Sequence, residues 1–255
     1  MLRSSALFLV LLVVFLGVWE AAVRLGLTSE LLPPPTEVFS KLVLALSNPF
    51  YVAGANDAGV GVQIATSLLR VLAGFSLAMV VALPIGFFVG TSPVLSKAVD
   101  PFVQVLRPVS PLAWLPIGLA LLRDSEWTAI FVIFISALWP MLLNTIAATS
   151  SVSRTYLEVA QTLRAGRWKT MRRVILPAAL PNILTGLRVS MGIAWLVIIA
   201  AEMLIGGRGI GYFIWNQWNN LDIANIFVGI LLVGAVGLAL DKAFRLLERR
   251  WQYES

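Results

Sequence analysis

The sequence predicts an all-α integral membrane protein with six membrane-spanning helices. Hydrophobic residues make up 59% of its 255 residues, the mean hydropathy is +0.88, and nine residues are Trp. A helix needs about 20 mostly apolar residues to cross the hydrocarbon layer of a bilayer, and soluble domains rarely reach this composition. Six stretches are long and apolar enough, at about 5–25, 64–90, 99–122, 127–148, 181–205 and 224–246.

The first stretch has a second interpretation, as a secretory signal peptide. Arg3 precedes an apolar run that ends near the small residues Ala21 and Ala22, which is the order of features in such signals. Because five further spans follow, we interpret this stretch as an uncleaved first helix.

Basic residues predict the orientation of the spans, because cytoplasmic connections carry an excess of Lys and Arg. The most basic segments are the connection between the fourth and fifth spans and the C-terminal tail, so both are expected inside. Six spans then place both termini in the cytoplasm, with Arg3 and the turn at Lys97. The net charge of +6 is therefore interpreted as a topology signal and not as a nucleic-acid-binding surface. The basic residues of the two segments are Arg154, Arg164, Arg167, Lys169, Arg172, Arg173, Lys242, Arg245, Arg249 and Arg250.

Composition also excludes several kinds of chemistry. The chain has no Cys and no His, so it offers no disulfides, no thiolate or imidazole zinc ligands and no Ser-His nucleophile system. It contains no Gly-x-x-x-x-Gly-Lys-Ser/Thr phosphate loop. We expect no catalytic residue, cofactor, metal or ATPase site in this chain.

Three stretches on the expected outer side interrupt the spans. "LLPPPTEVFSKLVLAL" begins with prolines that cannot continue a helix and resumes as a short amphipathic helix along the membrane surface. "NPFYVAGANDAGVG" is a loop rich in Gly, Asn and Asp. The glycines of "GGRGIGYFIWNQWN" allow sharp turns, and we expect this stretch to cap the outer mouth and help receive a binding protein.

The basic connection between spans four and five predicts a two-helix cytoplasmic elbow at about 154–176. The first helix is expected at 154–163, because Leu157, Ala160 and Leu163 recur at the spacing of one helix face.

A turn at Gly166, which is free to adopt a positive φ, separates the two helices of the elbow. The second helix starts at Arg167, and Pro177 is expected to end it or kink it into the next span. Its apolar stripe consists of Trp168, Met171 and Ile175.

The elbow has two physical interpretations. A basic amphipathic helix anchors a protein to anionic headgroups. A short rigid helix can also seat in a groove on a cytosolic partner.

A longer pattern favours the docking interpretation. "EVAQTLRAGRWKTMRRVILP" resembles the cytoplasmic signature loop of permease subunits of ATP-binding-cassette (ABC) importers, whose pattern begins Glu-Ala-Ala and closes Ile-x-Leu-Pro nineteen residues after the Glu. One departure is that the family's Gly, six residues after the Glu, is Arg164 here, with Gly166 two residues later. We expect the turn to form, with its register shifted. The matching positions are Glu158, Ala160, Leu176 and Pro177.

Further motifs resemble one branch of that family. "SLLRVLAGFSLAMVVALPIGFFVG" is similar to the second span of the nitrate, sulfonate and taurine permeases. "LRPVSPLAWLPI" and "AAEMLIGGRGIGYFIWNQWN" are closer to the nitrate or bicarbonate members. The resemblance covers about residues 55–250.

The resemblance implies the six-span fold of a type I ABC importer permease with a cytoplasmic coupling helix between spans four and five. It implies a multi-pass protein of the bacterial inner membrane that works as a homodimer. Its other partners would be cytosolic ATPase subunits, which bind ATP and Mg, and an extracytoplasmic substrate-binding protein. The ATPase-coupling residues would be Glu158, Ala160, Gly166, Arg167, Leu176 and Pro177.

Three regions are expected along the chain. Residues 1–60 form the N-terminal span and the outer interfacial segment, and 61–248 form the core transmembrane domain. Residues 249–255 form a cytoplasmic tail.

The candidate residues of a substrate pathway are charged residues within the spans and residues at a proline break in the third span. Charged groups inside spans usually face a protein interior or a cavity, and four lie in or near the predicted spans: Arg70, Arg107, Arg188 and Glu202. Three prolines follow Arg107 within nine residues, and the helix N-termini exposed by such a break favour an anion. Arginine adds a forked donor set suited to planar oxyanions. The candidates are Arg107, Ser110, Trp114, Arg188 and Glu202.

Two of these candidates also have structural interpretations. Arg188 lies near the cytoplasmic end of its span and is expected to snorkel to phosphates or bind the elbow. Glu202 lies near the outer end of the same span and is expected to pair with Arg208 or to cap the outer gate.

Two other classes of protein fit the sequence less well than the importer does. An ion-driven secondary transporter would usually have more spans and several membrane-embedded carboxylates, and only Glu202 qualifies here. A membrane enzyme has no visible catalytic set, and a scaffold would not need the elbow. Among importer substrates the expected order is nitrate, with nitrite or cyanate as variants, then bicarbonate, then sulfonates such as taurine.

Overall fold

The computed structural model describes residues 2–54 and 57–251, in which regular structure is helical apart from one isolated antiparallel bridge between Val52 and Ala58. The side chains of Arg3 and Arg250 and the predicted tail beyond 251 lie outside the described part. The α-helices are α1 (Leu2–Arg24), α2 (Pro35–Ser47), α3 (Val60–Gly90), α4 (Pro93–Leu106), α5 (Leu115–Leu122), α6 (Ser125–Ser150), α7 (Arg154–Thr162), α8 (Arg167–Thr170), α9 (Leu176–Ile205), α10 (Ile210–Asn219) and α11 (Ile223–Trp251).

Six spans account for the apolar stretches of the described chain, and one of them is broken. Five helices are long and apolar enough to cross a membrane on their own. The predicted third span, 99–122, is instead a bent pair, in which α4 and the segment Pro111–Leu122 meet at 85°. Pro108 and Pro111 supply no backbone N–H, so a regular helix cannot pass through this point.

The chain divides into two compact units. The first comprises Met1–Thr66 and Gly207–Gly234, and the second comprises Ser67–Gly206 and Ala235–Ser255. The helices α3 and α11 each contribute to both units.

In the first unit, an ion pair ties the predicted interfacial helix α2 to the turn between α10 and α11. The Lys41 Nζ atom lies 3.0 Å from a carboxylate oxygen of Asp222. Burial acts to raise the pKa of Asp222, but the hydrogen bonds from Asn225 and Lys41 outweigh it and lower the pKa below its usual value. The tie is therefore present at neutral pH and is lost only as the pH falls through that lowered pKa.

In the second unit, α6 is the central helix, and α3 and α9 pack along it. The α3 glycines allow a close approach: a Cβ added to Gly74 would lie 2.7 Å from the carbonyl oxygen of Ile130, and one added to Gly86 would lie 2.7 Å from the Cβ of Thr145. Membrane helices gain most of their association energy from such close packing, because lipid is as apolar as the side chains that it would replace.

We predict that Gly74→Ala destabilises the second unit by about 1–3 kcal/mol, because the new methyl group overlaps a backbone carbonyl that cannot rotate away. The temperature of half-unfolding in detergent measures the effect. Gly192→Ala is the matched control, since its Cβ would meet nothing within 4 Å. Equal melting temperatures for the two variants would contradict the packing described here.

Candidate functional site

The predicted elbow begins with α7, and its polar and apolar residues are arranged differently from the sequence-based expectation. Ala160 is buried at 4% exposure, and Glu158 is exposed. Leu163, expected on the same face as Ala160, is 75% exposed. Leu163 is the C-cap residue of α7, and its N–H still donates to the Val159 carbonyl.

An exposed apolar face on α7 was missed by the sequence reasoning. Tyr156 is 57% exposed and Val159 is 53% exposed, and together with Leu163 they follow an i, i+3, i+7 spacing. Apolar side chains that cluster on an exposed surface mark interaction sites more often than isolated ones do. Glu158 adjoins this face as the single acidic residue between Glu126 and Glu202.

The turn after α7 is made by Arg164 and not by Gly166. Arg164 adopts a left-handed conformation, with φ of 48°. The Arg164 N–H donates to the Gln161 carbonyl and the Ala165 N–H donates to the Ala160 carbonyl, the bonding pattern of a Schellman C-cap. The expected shift of register is therefore wrong: the turn lies at the position where the family pattern has Gly, and the φ of Gly166 is −63°.

After Gly166 a single helix runs from Arg167 to Ile205, through 39 residues. Its segment Met171–Ile175 is π-helical, and the Leu176 N–H donates to the Met171 carbonyl five residues earlier. Of the two expectations for Pro177, to end the helix or to kink it into the next span, the first is wrong, since α9 continues through this residue. The wider turn directly before Pro177 gives the proline ring room that a regular α-turn lacks.

The predicted coupling residues lie along these two helices. Glu158 and Ala160 are on α7, and only Ala160 of the six is buried. Leu176, at 40% exposure, lies where the π-helical segment passes into α9. The other three predicted coupling residues are exposed: Gly166, Arg167 and Pro177.

The candidates of the broken third span lie around its bend. Arg107 caps the C-terminus of α4, and Ser110 precedes a short 3₁₀ turn, Pro111–Trp114; both residues are exposed. The indole N–H of Trp114 is buried and has no hydrogen-bond partner in the described part of the chain. A buried donor without a partner is uncommon in proteins.

Arg188 is held by α11. Its Nη1 atom lies 2.7 Å from a Glu248 carboxylate oxygen, and its Nε atom lies 3.4 Å from Asp241. The side chain of Arg188 is 31% exposed. The arginine therefore acts as a structural tie between α9 and α11, and binding to the elbow or to phosphates is not needed to stabilise it.

Glu202 is the centre of a buried polar network and is 1% exposed. Its carboxylate accepts a hydrogen bond from Ser67 at 2.8 Å and lies 2.9 Å from Nη1 of Arg70. The Nε atom of the same arginine donates to Glu126 at 2.9 Å. The sequence-based expectation named Arg208 as the partner of Glu202 and did not foresee Arg70, which joins α3 to the start of α6 and the end of α9.

Sequence reasoning named Glu202 as a buried charge but did not find its partner. The two members of the pair are separated by 132 positions, and no local pattern links them. Two signals were available: Arg70, a charge inside the second predicted span, and Glu126 in the first turn of α6, where the helix dipole favours a carboxylate.

The comparison with known families identifies the chain. Residues 82–253 match the family described as binding-protein-dependent transport system inner membrane component. The chain belongs to this family. It is therefore an inner-membrane permease of an ABC importer, as the elbow pattern predicted.

Several characterised permeases are similar to this one over most of their length. The nitrate import permease protein NrtB of Synechocystis sp. is 44% identical over 94% of this chain and 86% of its own. The bicarbonate transport system permease protein CmpB of Synechocystis sp. is 42% identical over 92% and 84%. The taurine transport system permease protein TauC of Escherichia coli is 34% identical over 97% and 89%.

Solved structures share the fold of this permease. A chain of the MetNI methionine ABC transporter, in an inward-facing conformation, superposes with a TM-score of 0.68 at 15% identity, covering 75% of this permease and 95% of that chain. An amino acid ABC transporter gives a TM-score of 0.61 at 16% identity, covering 84% and 97%. The predicted fold class, an all-α ABC importer permease, is confirmed.

We predict that Arg164→Gly stabilises the turn of the elbow by about 1 kcal/mol, because glycine adopts a positive φ without the steric penalty that a side chain incurs. Amide hydrogen exchange should slow about fivefold at residues 164 and 165. Arg164→Ala removes the same charge and keeps the penalty, so it should leave exchange there unchanged. Equal effects of the two variants would mean that the charge, and not the backbone, governs the turn.

We predict that Arg70→Met destabilises the permease by about 3–5 kcal/mol, because it leaves the Glu202 carboxylate buried without its counter-ion. The double variant Arg70→Met/Glu202→Met should recover much of that loss, since an apolar pair replaces a buried ionic one at little cost. Melting temperatures in detergent test both. A double variant that is no more stable than Arg70→Met alone would refute the pairing.

Proposed function

We propose that this permease is the membrane subunit of an ATP-driven importer for a small oxyanion, most directly nitrate. Two copies form the translocation pathway, and cytosolic ATPase subunits and an extracytoplasmic binding protein complete the complex. A second copy is expected because six helices enclose little space by themselves. Nitrite and cyanate are chemically close variants of the cargo.

The main support for the coupling role is that the second helix of the elbow continues directly into a membrane span. The exposed face of Tyr156, Val159 and Leu163 is a surface suited to a protein groove. The turn at Arg164 then leads into the unbroken helix Arg167–Ile205. A partner that moves α7 therefore moves a stiff rod that crosses the membrane.

Charge gives the docking face its specificity. Between residues 154 and 176 there are six basic residues and one acidic residue, Glu158. A lone carboxylate beside an apolar face fixes the orientation of a partner more strongly than one charge among many like it.

The topology follows from the basic elbow. We place the elbow and both termini in the cytoplasm, because the density of Lys and Arg is highest there. ATP and Mg are bound by the ATPase partners, since the chain has no phosphate-binding loop.

Nitrate is proposed first for two reasons. The nitrate permease NrtB of Synechocystis sp. is among the most similar of the relatives described above, at 44% identity. The bend near Arg107 and Ser110 offers exposed polar groups next to interrupted helices, which suit a planar anion. Bicarbonate is the second candidate, because CmpB is 42% identical and its named substrate is also a planar oxyanion.

We predict that Glu158→Lys uncouples the importer while leaving the permease folded and inserted. Reversing the single carboxylate of the elbow should weaken binding of the ATPase subunits at least tenfold, equivalent to about 1.4 kcal/mol, and abolish uptake. Binding of purified ATPase subunits to the permease in nanodiscs measures the first effect.

The matched control is Glu30→Lys, which reverses an exposed carboxylate outside the elbow. It should leave ATPase binding at the wild-type level. Normal ATPase binding and ATP-driven uptake by the Glu158→Lys complex would contradict the docking role.

The cargo is tested by uptake of labelled nitrate, bicarbonate and taurine into vesicles that contain the complete complex. We predict that nitrate uptake exceeds the other two, requires ATP on the ATPase side and is unaffected by an uncoupler. Faster bicarbonate uptake would select the second candidate. Uptake that persists without ATP and is abolished by the uncoupler would instead indicate an ion-driven transporter.

A further inference from the structure

A groove in the second unit has walls that are apolar but exposed. It encloses about 410 Å³ between α3, α6 and the helix Arg167–Ile205. Phe87 and Phe88 of α3 form one wall, and Thr145 of α6 lies at the base.

The opposite wall of the groove is equally apolar. Trp168, at 68% exposure, and Leu176, at 40% exposure, line it, and Phe88 across from them is 51% exposed. On a membrane span, exposed aromatic and aliphatic side chains face lipid chains or another helix, and their concave arrangement here forms a site shaped for one apolar chain. A tryptophan at the junction of a basic segment and an apolar span is typical of the membrane interface.

One charged side chain, Arg172, also lines the groove. It belongs to the π-helical segment, one turn before Leu176. Lys169 and Arg173 are its exposed neighbours on the same helix. The groove therefore combines a long apolar trough with a cationic rim, which suits a molecule with an apolar chain and an anionic head.

We propose that this groove is a binding site for one anionic phospholipid, with an acyl chain along Phe88 and Leu176 and the phosphate on Arg172. Basic pockets at the ends of membrane helices bind anionic headgroups in this way. The arginine fork donates two parallel hydrogen bonds to a phosphate, which a single ammonium group cannot do.

Charge favours a lipid over a second copy of the chain in this groove. The elbow carries six basic residues and one acidic residue, a net charge of +5. A second copy would bring the same positive charge toward the same rim, whereas an anionic headgroup is attracted to it. The site is independent of the proposed cargo, and it lies in the inner leaflet if the elbow is cytoplasmic.

The test uses the complete permease–ATPase complex in nanodiscs of phosphatidylcholine doped with phosphatidylglycerol whose acyl chains carry bromine. Bromine quenches nearby indole fluorescence. The chain has nine Trp, so the signal of Trp168 is taken as the difference between the wild type and Trp168→Phe. We expect brominated phosphatidylglycerol to quench this difference signal at lower mole fractions than brominated phosphatidylcholine does.

Two adjacent arginines provide a matched pair of variants for the headgroup. Arg172→Gln should reduce the preference for phosphatidylglycerol about fivefold, the factor equivalent to about 1 kcal/mol for one basic side chain at an anionic surface. Arg173→Gln, which removes an exposed charge outside the groove lining, should reduce it less than twofold.

Three results would overturn the site. Equal quenching by the two brominated lipids would show that the rim does not select the headgroup. Equal losses for Arg172→Gln and Arg173→Gln would show only a general surface attraction. A Trp168 signal that neither lipid quenches would indicate that protein, such as a second copy, covers the groove. None of these readouts involves transport, so they are separate from the test of the proposed function.

Discussion

The continuous helix Arg167–Ile205 is the constraint on which the rest of the permease depends. Within a bilayer, each backbone N–H and C=O must find a partner inside the protein, so a long helix is stiff and cannot fray in the middle. Pro177 would normally break such a helix. The π-helical turn at Met171–Ile175 makes room for the proline ring. The second helix of the elbow and the membrane span therefore form one continuous helix.

The two ends of this rod meet different surroundings. At the elbow end, the apolar face of α7 is exposed and available to a partner. At the other end, Glu202 is buried and is held by Arg70, which also binds Glu126. This ion pair is costly to break, because a separated charge would be left buried without water.

Local patterns in the sequence predicted the spans, the elbow and the family, because hydrophobic length, basic clusters and the Glu-to-Pro spacing are all readable along the chain. The conformational details were not predictable in the same way. Glycine statistics pointed to Gly166 for the turn, but the bonding of α7 requires the positive φ at Arg164. Partners distant in sequence, such as Arg70 and Glu202, are brought together only by packing of the helices. The apolar face of α7 was missed because the sequence pattern placed Leu163 on the face of Leu157 and Ala160, whereas it is exposed beside Tyr156 and Val159.

The central claim, that one rigid helix transmits motion from the elbow across the membrane, is tested most directly by a distance between spin labels. The chain has no Cys, so labels can be placed at Lys169 and Leu204 alone, with singly labelled variants to identify distances between two copies. We predict a separation of about 52 Å, from 1.5 Å per residue, that stays constant between nucleotide-free and ATP-bound complexes. A separation that changes by more than about 5 Å, roughly one helical turn, would contradict it.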